Sequence, residues 1–415
     1  MDVLTLSLCS FMLFYVITIV WRTQKTRLRL PPGPTPLPII GNLLQVSFAL
    51  YKCYLKLSKQ YGPIFTVWLG SKPVVALCGY TVIKEALINY SHQFSARGFL
   101  PISERMAEGY GIITTNGERW QQVRRFAVST LRNFGMGKRS MEERVQEESR
   151  HLIKAIENIG GKVHNPHTVL GRAVNNVINL VVFGRRWDYD DKTMLKYISI
   201  INNLFNFLRR PLGVAYVAFD SLMKHLPGPH QKVFADCEHV KSFIREEIES
   251  HRRSLDPESP RDFIDCFLIQ ADKVTGHIQE AVPPIKWACA INAFPVVLQG
   301  TTLFPLLASA LSDPQYWKWP YEFNPENFLD ENGKFCSQEA LIPFSAGKRI
   351  CPGEGLARME IFLFFTALLQ KFSFQPANTT DTFNLDVLRR AIRKEGLSFN
   401  LRAIPRMKKM HGHTR

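Results

Sequence analysis

The stretch Phe344-Ser345-Ala346-Gly347-Lys348-Arg349-Ile350-Cys351-Pro352-Gly353-Glu354-Gly355 decides how the rest of the chain is read. The run Leu356 to Phe372 follows it, apolar nearly all round, as expected of a buried helix. Cys351 therefore sits in a glycine-bounded loop just ahead of a helix N-terminus. The free N–H groups and the dipole at such a terminus favour a thiolate over a thiol. Glycines let a backbone approach a flat ligand closely and aim N–H groups at sulfur. Arg349 places a cation two residues away, suited to a carboxylate. On these grounds alone a reactive cysteine and a buried structural cysteine both stay open.

Upstream of the loop, Gly300-Thr301-Thr302 opens a strand-like run, and Phe323-Asn324-Pro325-Glu326-Asn327-Phe328 follows it. Between about residues 48 and 275 many segments repeat apolar residues at helical spacing. Trp120 to Leu131, Val145 to Ile156, Val169 to Phe183 and Val240 to Ile248 are examples. Ile64 to Leu69 and Pro73 to Leu77 read as strands joined by a turn at Gly70 and Lys72. Stretches rich in Pro and Gly around 210–229 and 255–261 read as loops. The expected fold class is mainly α with a small β-sheet region, and no internal repeat or composition shift marks a second domain.

The N-terminus points to a membrane. Val3 to Trp21 carry no charge, and at the helical rise they span about 28 Å, close to a bilayer's hydrocarbon thickness. Arg22, Lys25, Arg27 and Arg29 follow at once, which predicts an uncleaved anchor over residues 1–29 with the rest of the chain in the cytoplasm. Pro31, Pro32, Pro34, Pro36 and Pro38 make residues 30–38 a stiff, extended hinge ahead of a body over 30–415.

The chain has 415 residues, 46% hydrophobic and 21% charged, enough for a large core and too apolar for wholesale disorder. Its 29 phenylalanines fit either a large apolar cavity or a large helical core. The net charge of +16 suits a membrane surface or an acidic partner. No basic run interleaved with aromatics and no zinc-finger spacing supports nucleic acid. Eight scattered cysteines without a C-x-x-C pair predict a reducing, cytosol-facing location.

The spacing F-x-x-G-x-R-x-C-x-G, met at Phe344, Gly347, Arg349, Cys351 and Gly353, resembles the cysteine-loop signature of cytochromes P-450. Arg97 in Phe94-Ser95-Ala96-Arg97-Gly98 matches as well, as do Trp120 and Arg124, four apart and so on one helix face. The texture is similar to the vertebrate microsomal branch called family 2. The resemblance implies the cytochrome P-450 fold and haem b, with Cys351 as the axial iron ligand. Thiolate is the ligand that favours O–O cleavage. Arg97, Trp120, Arg124 and Arg349 would hold the propionates. The implied activity inserts one oxygen atom from dioxygen into lipophilic substrates such as drugs, xenobiotics, fatty acids or steroids. Electrons would come from NADPH through cytochrome P-450 reductase, with cytochrome b5 as a further partner, at the endoplasmic reticulum membrane. Pocket walls would come from Phe99, Ile113, Phe205, Phe207 and Leu208. A basic docking face would come from Arg125, Arg132, Lys138, Lys348 and Arg358.

Two family features are missing where they belong. One is the long central helix with A/G-G-x-x-T, which leaves no oxygen-activating catalytic residue to assign. The other is the helix with E-x-x-R. Glu147 to Arg150 and Glu249 to Arg252 have the latter spacing but lie in charged, surface-looking helices, and Asn327 stands where the family usually has Arg or His. Residues Arg389 to Gly396 put charges where relatives turn apolar side chains toward the haem. The chain is about 80 residues shorter than typical members, with the deficit in the anomalous segment 274–299. The alternative reading is thus a shortened, catalytically impaired or inactive membrane-bound variant.

Overall fold

The computed structural model describes residues 3–46, 50–98, 100–136, 138–275, 296–298, 301–377 and 399–406. Its longer elements, in chain order, are α1 (Val3–Arg27), α2 (Leu50–Tyr61), β1 (Ile64–Leu69), β2 (Lys72–Leu77), α3 (Gly117–Asn133) and α4 (Arg139–Ile159). Then come α5 (Pro166–Val182), α6 (Lys192–Arg209), α7 (Pro229–Arg253), α8 (Phe263–Thr275), β3 (Val296–Leu298) and β4 (Thr301–Pro305). The last are α9 (Glu354–Lys371), β5 (Phe372–Pro376) and β6 (Leu401–Pro405). The chain is mainly helical with small sheets, as expected.

Two compact units form. The first comprises Met1–Val123, Ile200–His239 and Pro283–Cys351; the second comprises Arg124–Ser199, Val240–Val282 and Pro352–Arg415. In the first, β1 pairs antiparallel with β2, β2 pairs parallel with β4, and β3 closes the order β1-β2-β4-β3. The β1–β2 hairpin matches its sequence prediction within a residue. Alternating Val, Phe and Leu bury its inner face against Val46, Tyr54, Leu57 and Leu306. The Gly300-Thr301-Thr302 reading also holds, since Thr301 starts β4. The proline hinge does more than space the body from the anchor. The Pro32 carbonyl accepts the Thr66 N–H at 2.9 Å, and the Pro31 carbonyl accepts the Thr66 hydroxyl at 2.9 Å. A Cβ on Gly33 would lie 1.9 Å from the Thr66 oxygen, so only glycine lets the hinge lie on β1. Around 210–229 the structure corrects the loop reading: Pro211–Ala218 is helical, because proline at the first helical position costs no backbone hydrogen bond.

In the second unit α4, α5 and α9 share one core. Val145, Leu152 and Ile156 meet Ala173, Val177, Leu356, Phe364 and Leu368, and Phe372 and Ala403 of the β5–β6 hairpin close it. Asp262 clasps two helices: one oxygen caps α8 at the Asp265 N–H (3.0 Å), the other meets His251 Nε2 in the last turn of α7 (2.8 Å). Glu147, Arg150, Glu249 and Arg252 are exposed, as their surroundings predicted. Their neighbour Glu148 is buried and paired with Arg186 at 2.8 Å, the Tyr189 hydroxyl (2.6 Å) and Asn176.

The expectation of an all-round buried helix fails for α9. Leu356, Glu360, Phe364 and Leu368 line its buried face, while Ile361, Phe362 and Phe365 stand exposed. Apolar composition hides the phase of this helix, and a glutamate lies on the inward side. Burial pushes the Glu360 carboxyl up to about 8, and its Oε1 has no hydrogen-bond partner. The folded chain therefore keeps a proton that the unfolded chain loses near the ordinary glutamate range. Its contribution to stability falls as pH rises from about 4.5 to about 8. Glu360→Gln should remove that slope. Melting of wild type and variant should nearly coincide near pH 5, and the variant should be the more stable by several degrees near pH 8. A gap that does not widen with pH would contradict this burial.

Candidate functional site

The cysteine loop is closed on itself. The Cys351 N–H donates to the Phe344 carbonyl at 3.0 Å, which brings the half-exposed cysteine back beside the loop's start. Between them Ser345 (φ 66°) and Gly347 (φ 70°) adopt left-handed backbone, and Gly347–Arg349 form a 3₁₀ turn. Such a conformation is strained for serine and persists only where surrounding contacts impose it. A Cβ on Gly347 would lie 1.7 Å from the Leu87 carbonyl oxygen. That glycine is thus required by the close approach of residues 85–89. Gly353 caps α9, whose first residue, Glu354, comes three after Cys351.

Arg349 is the centre of the first unit's polar cluster. It is 7% exposed. Its Nε donates to the Ser95 carbonyl at 2.6 Å, and its Nη2 donates to the Thr115 carbonyl at 2.7 Å and to Asn116 Oδ1 at 2.9 Å. The guanidinium lies over the buried Trp120 ring, 3.7 Å from its centroid, close enough for a favourable cation–π contact. Asn116 ties in Arg97: its Oδ1 accepts the Arg97 N–H at 2.6 Å and its Nδ2 donates to the Arg97 carbonyl at 3.0 Å. Arg97 is buried as well. A cavity bounded by Leu87, Phe94, Arg97, Ala346 and Arg349 adjoins these groups. The structure thus brings Arg97, Trp120, Arg349 and the Phe344–Cys351 loop together.

Sequence reading did not foresee Asn116. An amide that only bridges backbone to a cation has no motif of its own, and proximity to Trp120 was the only signal available. Arg124 lies one turn beyond Trp120 on α3, in the second unit and partly buried. Arg125, Arg132, Lys138 and Arg358 are exposed on the second unit, and Arg358 pairs with Glu354 at 2.8 Å. Lys348, in the first unit, has its ammonium 2.7 Å from Nδ1 of His92. Phe207 and Leu208 pack with Ile102, Leu204, Tyr216 and Phe234, while Phe205 and Ile113 are half-buried. Phe99 lies outside the described residues, as do 276–295 and 378–398, where the shortened segment and Arg389 to Gly396 fall.

The profile described as "Cytochrome P450" matches residues 31–282 and 292–394. The chain belongs to the cytochrome P450 family. Among curated relatives, it is 38% identical to cytochrome P450 2G1 of Oryctolagus cuniculus over 456 positions, covering 89% of this chain and 92% of the relative. It is 38% identical to cytochrome P450 2A13 of Homo sapiens, with 90% and 92% covered, and 36% identical to cytochrome P450 2A5 of Mus musculus, with 88% and 91% covered. These place it in the family 2 branch. As a P450 it is by family a haem- and iron-dependent monooxygenase, an oxidoreductase with haem b as cofactor. Helix α1 is long and apolar enough to cross a membrane, which fits membrane anchoring.

The donor set suits haem. Two buried guanidinium groups and an indole are of the charge and donor type that suit two propionates, and a partly exposed cysteine stands at the end of the cysteine loop.

Asn116→Ala would take three hydrogen bonds from Arg97 and Arg349. The loss should cost about 1–3 kcal/mol and several-fold in haem retention, read from urea unfolding and the haem-to-protein ratio. Unchanged values for both would contradict the bridging role.

Proposed function

We propose that this P450 holds haem b through the Cys351 thiolate and inserts oxygen into lipophilic substrates at the cytoplasmic face of the endoplasmic reticulum membrane. The observation that carries the reading is the buried Arg97–Asn116–Arg349–Trp120 cluster beside the closed cysteine loop. Arg97, Arg349 and Trp120 would neutralise and orient the propionates, with Arg124 one turn along the same helix face. The loop would present the sulfur, fixed by the Cys351-to-Phe344 hydrogen bond. Bound haem supplies the iron at which dioxygen is reduced. Phe205, Phe207, Leu208, Ile113 and Phe99 are the proposed apolar walls, which suit many lipids and drugs alike. Cys351→Ser should abolish the haem-thiolate absorption of the ferric chain while leaving the other cysteines in place. A spectrum identical to wild type would refute the assignment.

Electrons would come from NADPH through cytochrome P-450 reductase, with cytochrome b5 as a second donor. Arg125 and Arg132 are seven apart on α3 and share an exposed face; with Lys138 and Arg358 they are the proposed basic docking residues of the second unit, and Lys348 is the one proposed in the first. Arg125→Glu with Arg132→Glu should weaken reductase binding and flatten its salt dependence. An unchanged isotherm would count against the face.

A second reading concerns how much of this activity the chain keeps. The alignments with relatives run over 456 and 457 positions, more than the 415 residues of the whole chain, so the relatives carry internal sequence that this chain lacks. The profile match breaks at 283–291. We infer that the distal oxygen-activating helix is what is lost. Residues 274–299 include Pro283, Pro284 and Pro295, which would break any long helix. Without that wall water reaches the haem and no threonine–acid pair relays protons. Turnover of lipophilic substrates with reductase and NADPH should then be a small fraction of that of a full-length relative such as cytochrome P450 2G1, with peroxide as the main product. Comparable rates would overturn this reading.

A further inference from the structure

The junction of α7 and α8 holds a serine among arginines. Arg252 and Arg253 end α7, Ser254 follows, and residues 256–261 form an exposed connection to α8. The Ser254 hydroxyl is exposed; it donates to the Ser250 carbonyl at 3.2 Å and accepts Nη1 of Arg261 at 3.0 Å. The other edge of that guanidinium is already committed. Its Nε and Nη2 donate to the buried Asp265 carboxylate at 2.7 and 2.9 Å. Arg261 therefore meets Ser254 with a fork that an ion pair has fixed in place, and it has little side-chain freedom left to lose on binding an anion.

We propose that Ser254 is a phosphorylation site for a serine kinase that selects arginines ahead of its target, and that the attached phosphate is held by Arg261. An acidic kinase cleft reads Arg252 and Arg253 by charge complementarity. Helix ends fray, and the exposed 256–261 stretch lies just beyond, so opening one turn of α7 presents the serine. In the transfer the Ser254 oxygen bonds to the γ-phosphorus of ATP, the bridge to the β-phosphate breaks, ADP leaves, and the hydroxyl proton passes to the kinase's base. The product adds nearly two negative charges and three acceptor oxygens. Nη1 of Arg261 donates to one of them without leaving Asp265. A phosphate at a helix C-terminus opposes the dipole, and Asp256 and Glu258 lie in the same connection. Arg252 and Arg253 offset both, and Asp256 is turned onto the Glu258 N–H of its own turn at 3.0 Å. The sequence offers one other serine behind two basic residues, Ser140 after Lys138 and Arg139. Its Oγ packs where Gly135 has no side chain, and Glu142 and Glu143 follow it, which makes it the internal comparison.

The test uses the full chain in phosphatidylcholine vesicles, incubated with magnesium ATP and a panel of purified arginine-directed serine kinases, with modified positions mapped by mass spectrometry. Ser254 should carry phosphate well above Ser140, and Arg252→Ala with Arg253→Ala should cut its labelling about tenfold. A second arm installs phosphoserine at 254 during synthesis. Amide exchange in the first turn of α8 should then slow about tenfold relative to serine, as one added charge-assisted hydrogen bond implies. Arg261→Lys keeps a cation for Asp265 but has no second arm for the phosphate, so it should erase most of that difference. No phosphate on Ser254 with any of the kinases, or labelling indifferent to the two arginines, would overturn the site. Exchange unchanged by phosphoserine, or slowed equally in Arg261→Lys, would overturn the hold by Arg261. Access to a kinase in the cell rests on the cytoplasmic placement proposed above, but neither arm depends on that placement, on haem or on turnover, so failure here would leave the haem-thiolate reading untouched.

Discussion

A guanidinium taken out of water must be met by oxygen atoms, and the first unit is arranged around that demand at Arg349. Its hydrogen bonds reach the Ser95 and Thr115 carbonyls and the Asn116 side chain, three points distant in sequence from the cysteine loop. The Trp120 ring covers its face. Burial of a charge is costly unless such partners are supplied together. The loop, the 95–97 segment and the start of α3 are therefore held in one arrangement. The loop's own closure, with left-handed backbone at Ser345 and Gly347, then fixes where Cys351 stands relative to that cluster.

Much of this was readable from residue order. The β1–β2 hairpin shows two short, nearly continuous apolar runs around a glycine turn, and both strands form where those runs lie. The helices over 117–133, 139–159 and 166–182 carry clear apolar periodicity. The cysteine loop and Arg349 lie in one long, fixed spacing, while Arg97 and Trp120 were singled out only through the family resemblance. What stayed hidden depends on tertiary contact. Asn116 is one polar residue among many until its amide is seen between Arg97 and Arg349. The hinge looks like a free spacer until Gly33 is found against the Thr66 carbonyl. A helix apolar on all sides gives no phase, so neither the buried Glu360 nor the exposed side of α9 could be read from its composition.

The family frame and the particular chain pull in different directions. The proposed haem site, the arginine cluster with the cysteine loop, lies in the part of the chain that the family profile matches. The relatives nevertheless carry internal sequence that this chain does not, and the profile match breaks just after α8. Helix α9 packs on α4 along one side, and Ile361, Phe362 and Phe365 on another side are exposed. Cofactor binding and oxygen activation are separable demands: the first needs the sulfur and the propionate donors, the second also needs a dry, proton-supplying wall. A chain can keep the one while losing the other.

The central claim is that the closed cysteine loop and its arginine cluster still form a haem-thiolate centre. The most direct measurement is the difference spectrum of the reduced, haem-supplied full chain with and without carbon monoxide. The account predicts the red-shifted absorption band of carbon monoxide bound opposite a thiolate. Absence of bound haem, or only the band of a centre ligated by histidine or neutral thiol, would contradict it.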